Sequence, residues 1–528
     1  MAVALPAMPG GGHGGQGSQA SQFTRLLARS AFTPLQLSDP DATFGVVTGV
    51  SAGGHAGTDQ GVDDPNDDPD PLENPRIPAG YTYFGQFIDH DLTFDTTSSL
   101  LDLKPQRPNN ERTPRLDLDC VYGLGFAGAP FMYLSDGRFV TNPNGFDLPR
   151  ATNDRAIIGD PRNDENSIVC QIQRGFINFH NKIVEKLIVK GIKPGADAFR
   201  AAQQEVRWTY QSVILNDYLV RVIRDDVQAK FHGTNGLKNL FKLYRHTKWG
   251  ALPLEFTAAA YRFGHSMIRN AYRLNPDQPL PQRIFDGEDD GVESLVGFGS
   301  LSPTHQVKWG LLLPAPGRAD TAPGHAPKND GPKNDKNRLQ FAYKLDTNLV
   351  HPLLALPSRI AGNPLPPDPF RSLAARNLKR AYNFELPSGQ DIARAFGDVP
   401  LPADKIEIRT NGDTASDGFV QLAKLPGLNP ADAAALAEKT PLWLYILMEA
   451  QQTIRRGVPF DDNAQAGVPT ALGPVGGRIL LEVFYGILLN DEESVVASPD
   501  GEAWTPMANP DRAKLTLWDI FAFAGENM

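Results

Sequence analysis

Two cysteines in 528 residues, Cys120 and Cys170, are too few for a disulfide framework to carry the stability of this chain. One bridge stays open, but Ile168 and Val169 beside Cys170 read more naturally as the surroundings of a buried free thiol. Positive charge is not in excess. The 51 Lys and Arg face 61 Asp and Glu, a net charge of −10, so the clustered cations of a general nucleic-acid binder are missing. No run approaches the roughly 20 apolar residues of a membrane span. The best candidate, Ile479 to Leu489, is short and begins beside Arg478. The N-terminus, MAVALPAMPGGGHGGQG, has no basic segment followed by a long apolar run. A standard secretion signal is therefore not visible, and the expected location is the cytoplasm or the exterior reached without such a signal.

What is present suits one large enzyme. The chain is 41% hydrophobic and 21% charged, with 49 Gly and 45 Pro, which excludes a disordered or collagen-like chain. Length allows three or four domains or a single large one. No composition break and no repeat divides the chain, so the reading is a low-complexity or extended segment over 1–40 and one domain over 41–528. Residues 51–78 hold Asp59, Asp63, Asp64, Asp67, Asp68 and Asp70 and read as a solvated acidic loop; no EF-hand spacing is present. Residues 314–337 form a second structureless stretch by composition. Apolar steps of three and four predict helices over 167–189, 201–223, 256–272, 441–456 and 476–489. Few segments alternate with period two, so the class is mainly α.

Tyr81 to Asp95 reads YTYFGQFIDHDLTFD. Gln86 and His90 are four apart and share a helix face, and Asp91 points elsewhere. Thr113 to Gly123 reads TPRLDLDCVYG, Gly159 to Glu165 reads GDPRNDE, Tyr261 to Leu274 reads YRFGHSMIRNAYRL, and Arg376 to Gln390 reads RNLKRAYNFELPSGQ. In this order the five segments resemble the distal helix, calcium loop, distal-arginine segment, proximal-histidine helix and Asn/Arg-bearing helix of the animal-type haem peroxidases, a branch of the peroxidase–cyclooxygenase superfamily, with a bacterial-like cast. The resemblance implies a large single-domain, mainly α fold with haem between the distal and proximal helices.

It also implies roles. An iron axial ligand is needed, and a neutral imidazole supplies it. His265 matches the proximal histidine, and Asn377 matches the partner that fixes its tautomer. His180, His232 and His351 read as ordinary core histidines. Arg262 and Arg380 fall where propionate contacts are expected. On the other haem face, His90 would move the peroxide proton as base and then acid, Arg162 would stabilise the developing charge, and Gln86 would orient water, peroxide or a halide. Asp89 and Glu165 match two carboxylates that form esters with haem b. Asn166 stands where one branch of the family carries a methionine, so no sulfonium link is expected and efficient chloride oxidation is not. Asp91, Thr113, Asp117, Asp119 and the carbonyl of Arg115 match calcium ligands, hard oxygen donors for a hard cation. Asp119 stands where Ser is usual.

The implied activity is a haem peroxidase that uses hydrogen peroxide to oxidise a small reducing substrate (halide, thiocyanate or phenol) through a ferryl intermediate. Fatty-acid dioxygenases of the same superfamily are the alternative. They use a tyrosine three residues before the proximal histidine, but that position here is Arg262, and Tyr261 is one residue off. A haem-free adhesion module is disfavoured by the joint presence of His90, Arg162, His265 and Asn377.

Overall fold

Asn166 starts the longest helix. Its side chain accepts from the Val169 N–H (2.9 Å), satisfying one of the orphan donors of a helix start. The helix then runs over Ser167–Val189, the full expected span, and buries Ile168, Ile172, Phe176, Phe179 and Ile183. The computed structural model describes residues 21–53, 72–94, 109–233, 241–244, 252–278, 280–286, 293–316, 337–361, 369–410, 418–454, 468–501 and 503–528. Its main elements are α1 (Pro40–Gly53), β1 (Glu73–Pro78), α2 (Gly80–Leu92), α3 (Ser167–Val189), α4 (Ala196–Val213), β2 (Phe341–Tyr343), α5 (Leu373–Asn383), α6 (Leu442–Ala450), α7 (Pro474–Asn490) and α8 (Leu517–Ala524). Sheet content among the described residues is four two-stranded antiparallel ladders, one of them β1 with β2. The architecture is mainly α, as expected. Among the described residues no helix is long and apolar enough to cross a membrane.

An aromatic cluster sets the orientation of α2. Phe84 and Phe87 pack on Phe176 of α3, with Phe87 stacked at 5.0 Å, and Tyr210 of α4 meets Phe176 edge-on at 5.6 Å. That buries the rear face of α2 and turns the Gln86/His90 face outward from the cluster. A π-helical stretch, Ile214–Tyr218, follows α4, leads into a last α turn (Leu219–Val222) and aims two side chains at α2. Asp217 accepts from the Tyr81 hydroxyl (2.5 Å), and the Tyr218 hydroxyl lies where a side chain on Gly85 would have to go. Only glycine fits at 85. The same close approach recurs at Gly175, where the Phe521 ring of α8 packs onto α3.

Several expectations change. The run 256–272 is not one helix but an α turn (Leu254–Thr257), a 3-10 helix (Ala260–Met267) and a short strand (Ala271–Tyr272). Trp443 Nε1 of α6 donates to the Arg262 carbonyl (3.1 Å), taking an acceptor that a continuous α-helix would use for itself. The run 201–223 starts earlier, at Ala196, and passes through the π-helical stretch into an α turn, Leu219–Val222, that ends where expected. The acidic run 51–78 does not end in solvent, because Glu73–Pro78 is a buried strand. The Asp residues from 59 to 70, residues 1–20 and most of 314–337 lie outside the described residues. Residues 21–40 belong to the body of the protein rather than to a separate extended segment: Leu26 is buried, and its N–H and that of Leu27 donate to buried Glu255. Cys120 and Cys170 are both buried and free. His180 is a core histidine as expected, within hydrogen-bond reach of Tyr122 and the Gly137 carbonyl, and burial pushes it down to about 4, whereas His232 and His351 are exposed rather than core.

Candidate active site

A cavity of about 480 Å³ opens between α2 and the 3-10 helix, within the size range of small-molecule and cofactor sites. Gln86, Asp89 and His90 line it from α2, Glu165 and Asn166 from the segment before α3, and Arg262, Gly264 and His265 from the 3-10 helix. Arg376 of α5 joins them. The remaining wall is largely apolar and aromatic, including Tyr218, Tyr261, Phe263, Leu353 and Leu373. Gly264 keeps this wall flat, since a Cβ there would meet nothing within 4 Å.

On the 3-10 helix three residues make a full turn, so Arg262 and His265 share a face. The His265 ring places Nδ1 2.8 Å from the side-chain amide of Asn377 on α5. Asn377 presents Nδ2 to the ring; with its amide turned over, the oxygen would accept from Nδ1–H and leave the Nε2 lone pair for a metal. Burial, with the charges of Arg262 and Arg380 added, pushes the ring down to about 3, so it is neutral at physiological pH. Arg380 acts by this charge but is not among the cavity-lining residues; Arg376, one α-helical turn before it, is.

His90 is held from behind. Its Nδ1 lies 2.7 Å from Asn163 Oδ1, and Asn163 Nδ2 donates to Gln173 Oε1 of α3 (2.8 Å). Its Nε2 is 3.8 Å from Glu165 Oε1. Gln86 Nε2 donates to the same Glu165 oxygen, and Asn166 Nδ2 donates to Gln86 Oε1 (3.1 Å). Asn166 therefore caps α3 and fixes Gln86 at once. Burial raises the Glu165 carboxyl above its ordinary range, against the pull of His90 and Arg162. Asn163 and Gln173 escape sequence reasoning. Asn163 sits inside the GDPRNDE segment, but only the fold reveals that its amide meets His90.

Arg162 departs from the sequence expectation. Its Nη2 donates to Asp160 (2.8 Å) and to the His90 and Thr93 carbonyls (3.1 and 2.5 Å), and its guanidinium lies over the Phe94 ring. It is not among the cavity-lining residues. The end of α2 explains this: its unpaired carbonyls and the buried Asp160 carboxylate are stronger acceptors than an apolar wall. Asp160 also accepts from Arg112 (2.5 Å) and from the Arg162 N–H. Burial raises its carboxyl, but the Arg162 and Arg112 guanidiniums outweigh this and hold it at about 2.

Behind α2, Asp91, Asp117 and Asp119 bring carboxylate oxygens within 4.8 Å of one another. Thr113 Oγ1 donates to Asp117 (2.9 Å), and the Leu118 N–H donates to Asp91 Oδ2 (3.2 Å). Leu116 and Leu118 take left-handed backbone conformations in this loop, which brings it back against α2. Asp91 Oδ1 is buried with no hydrogen-bond partner among the described residues, and burial followed by the Asp117 charge pushes the Asp91 carboxyl to about 7. Three clustered carboxylates with an orphaned oxygen fit a hard divalent cation. The Arg115 side chain turns away toward Asp491 (4.0 Å).

Residues 95–289 match the family described as "Animal haem peroxidase". A comparison with curated proteins finds no match. Among solved structures, peroxidase A from Dictyostelium discoideum aligns with a TM-score of 0.54 at 14% identity, over 96% of this chain and 93% of that one. Fatty acid α-dioxygenase from Oryza sativa aligns at 0.52 with 15% identity, over 96% and 84%. The Arabidopsis thaliana enzyme aligns at 0.50 with 14% identity, over 92% and 75%. At these identities the likeness is one of fold. Residues 95–289 are thus similar to an animal haem peroxidase domain, and the chain shares its fold with a peroxidase and with fatty acid α-dioxygenases.

Proposed function

We propose that this chain is a haem-dependent peroxidase that uses hydrogen peroxide to oxidise a small reducing substrate, a halide, thiocyanate or phenol. The observation that carries the reading is one cavity lined by two histidines, His90 and His265, each with its Nδ1 tied to a buried asparagine. The residues present fit haem. His265 offers a neutral Nε2, Arg262 and Arg376 offer cations to propionates, and the wall is apolar enough for a macrocycle. Bound there, haem supplies an iron centre at which peroxide is reduced by two electrons.

The protein's own residues manage protons and charge. His90 Nε2 takes the proton from one peroxide oxygen and returns it to the other, which leaves as water. Gln86, held between Glu165 and Asn166, positions the incoming molecule. Arg162 supports this step by binding the His90 carbonyl and lending its charge from behind, and Arg380 adds charge near His265. Asp89 and Glu165 both line the cavity and are the carboxylates for ester links to haem. Calcium at Asp91, Asp117 and Asp119, with Thr113 and the Arg115 carbonyl, would pin the helix that carries His90.

Tyr261 also lines the cavity, which gives the dioxygenase reading its one structural support. On the 3-10 helix it still lies about a third of a turn from the His265 face. Purified protein should show a haem absorption band and oxidise iodide or guaiacol only when peroxide is added. Oxygen uptake with a long-chain fatty acid, without peroxide-dependent oxidation, would move the assignment to the dioxygenases.

A further inference from the structure

His90, Asn163 and Gln173 form one buried line of hydrogen bonds. Asn163 is fixed at the backbone as well. It sits in a single 3-10 turn, Pro161–Asp164, that Asp160 caps, and its N–H donates to the Asp160 carbonyl (3.1 Å). Its amide has two ends with opposite roles. The NH2 end is taken by Gln173 Oε1, so the carbonyl end faces His90. A carbonyl oxygen only accepts, and the imidazole nitrogen opposite it must therefore carry the proton. In the neutral ring the other nitrogen, Nε2, 3.8 Å from Glu165 Oε1, is then left with a lone pair.

The far end of the line shows an uncompensated cost. Gln173 Nε2 is buried and has no hydrogen-bond partner among the described residues. Leaving such a group unpaired costs about 1–3 kcal/mol. A buried glutamine kept for one oxygen alone suggests that what this oxygen does for Asn163 outweighs the cost.

We propose that Asn163, oriented by Gln173, is a positioning residue that holds His90 in the tautomer protonated at Nδ1, so that Nε2 faces the cavity as a proton acceptor. The opposite tautomer would present N–H to an incoming peroxide and could not take its proton. The assignment of His90 as the base rests on the peroxidase reading; the assignment of the tautomer does not.

Two measurements on the haem-loaded protein test this. Nitrogen-15 histidine NMR of the diamagnetic ferrous carbonyl form, with the His90 signal identified from a His90→Gln sample, should find the proton on Nδ1. A proton on Nε2 overturns the proposal without any variant having to fold. Cyanide enters as HCN and must lose its proton to bind ferric haem, so its association rate reads the base even if the protein turns over no peroxide. Asn163→Leu and Gln173→Leu should slow cyanide association about tenfold or more with the absorption spectrum unchanged, and Asn163→Asp, which keeps an acceptor oxygen, should restore it. An unchanged rate in Asn163→Leu also overturns the proposal.

Discussion

On the haem reading, His265 offers iron the ring nitrogen that Asn377 does not engage. His265→Ala should therefore abolish the haem band or reduce haem content severely while leaving the fold intact by circular dichroism; full haem incorporation with an unaltered spectrum would refute the axial assignment. Asp160 makes a prediction of a different kind. Its carboxyl is held at about 2, below the ordinary 3.8, so it contributes stability that is fully present above about pH 4 and is lost as pH falls through 2. Asp160→Asn should cost about 2 kcal/mol at pH 7, and the gap from wild type should close in thermal melts near pH 2. Much of the candidate site was legible in the sequence as residues that come together: Gln86, Asp89, His90, Glu165, Arg262 and His265 all line one cavity. Arg162 and Arg380 were named but stand outside its lining. Nothing local to an arginine tells whether solvent, a helix end or a ligand will claim its guanidinium. Asn163 and Gln173 were not legible, because buried amides leave no periodic trace.

Elements show where local signals yield to tertiary contact. Helix α3 was readable end to end, because its apolar spacing and its Asn166 cap agree. The segment carrying His265 was read as a regular helix because its apolar spacing looks the same, yet Trp443 from a distant helix claims the Arg262 carbonyl. The π-helical stretch was invisible for the same reason, and its effect is concentrated at one contact. A Cβ at Gly85 would lie 2.6 Å from the Tyr218 hydroxyl, in the helix that carries Gln86 and His90. Gly85→Ala should lose about 1–3 kcal/mol of stability, and Tyr218→Phe in the same chain should recover part of it. Additive losses in a double-mutant cycle of denaturant melts would show that the contact is not the cause.

For the whole molecule, the acidic trio links stability to the site. Asp91 follows His90 on α2, and its partners Asp117 and Asp119 come from a loop 26 or more residues on. A cation held there stabilises only the folded chain, by about 3 kcal/mol at a hundredfold excess over its dissociation constant. Chelation should lower the melting temperature and slow the peroxide reaction together, and calcium should restore both; a melting temperature indifferent to chelation would leave the cluster without a metal. The fold class and the single large domain were readable from helical periodicity and ordered motifs. The place of residues 21–40 and of the strand Glu73–Pro78 was not, because each is fixed by partners remote in the chain.

That remoteness also governs when the pocket comes into being. His90 and Asn163 are 73 residues apart, Gln86 and Asn166 are 80 apart, and His265 and Asn377 are 112 apart. At 5–20 residues per second of synthesis, roughly 6–20 s pass between the making of His265 and of the asparagine that prepares it. During that interval a distal half can already be assembled on the ribosome, with its histidine tethered, opposite a proximal histidine still without its partner. On the haem reading, cofactor capture is thus a late step in the life of the nascent chain, and a pause in translation after residue 265 would lengthen the time for which an unfilled apolar pocket is open to the wrong occupant.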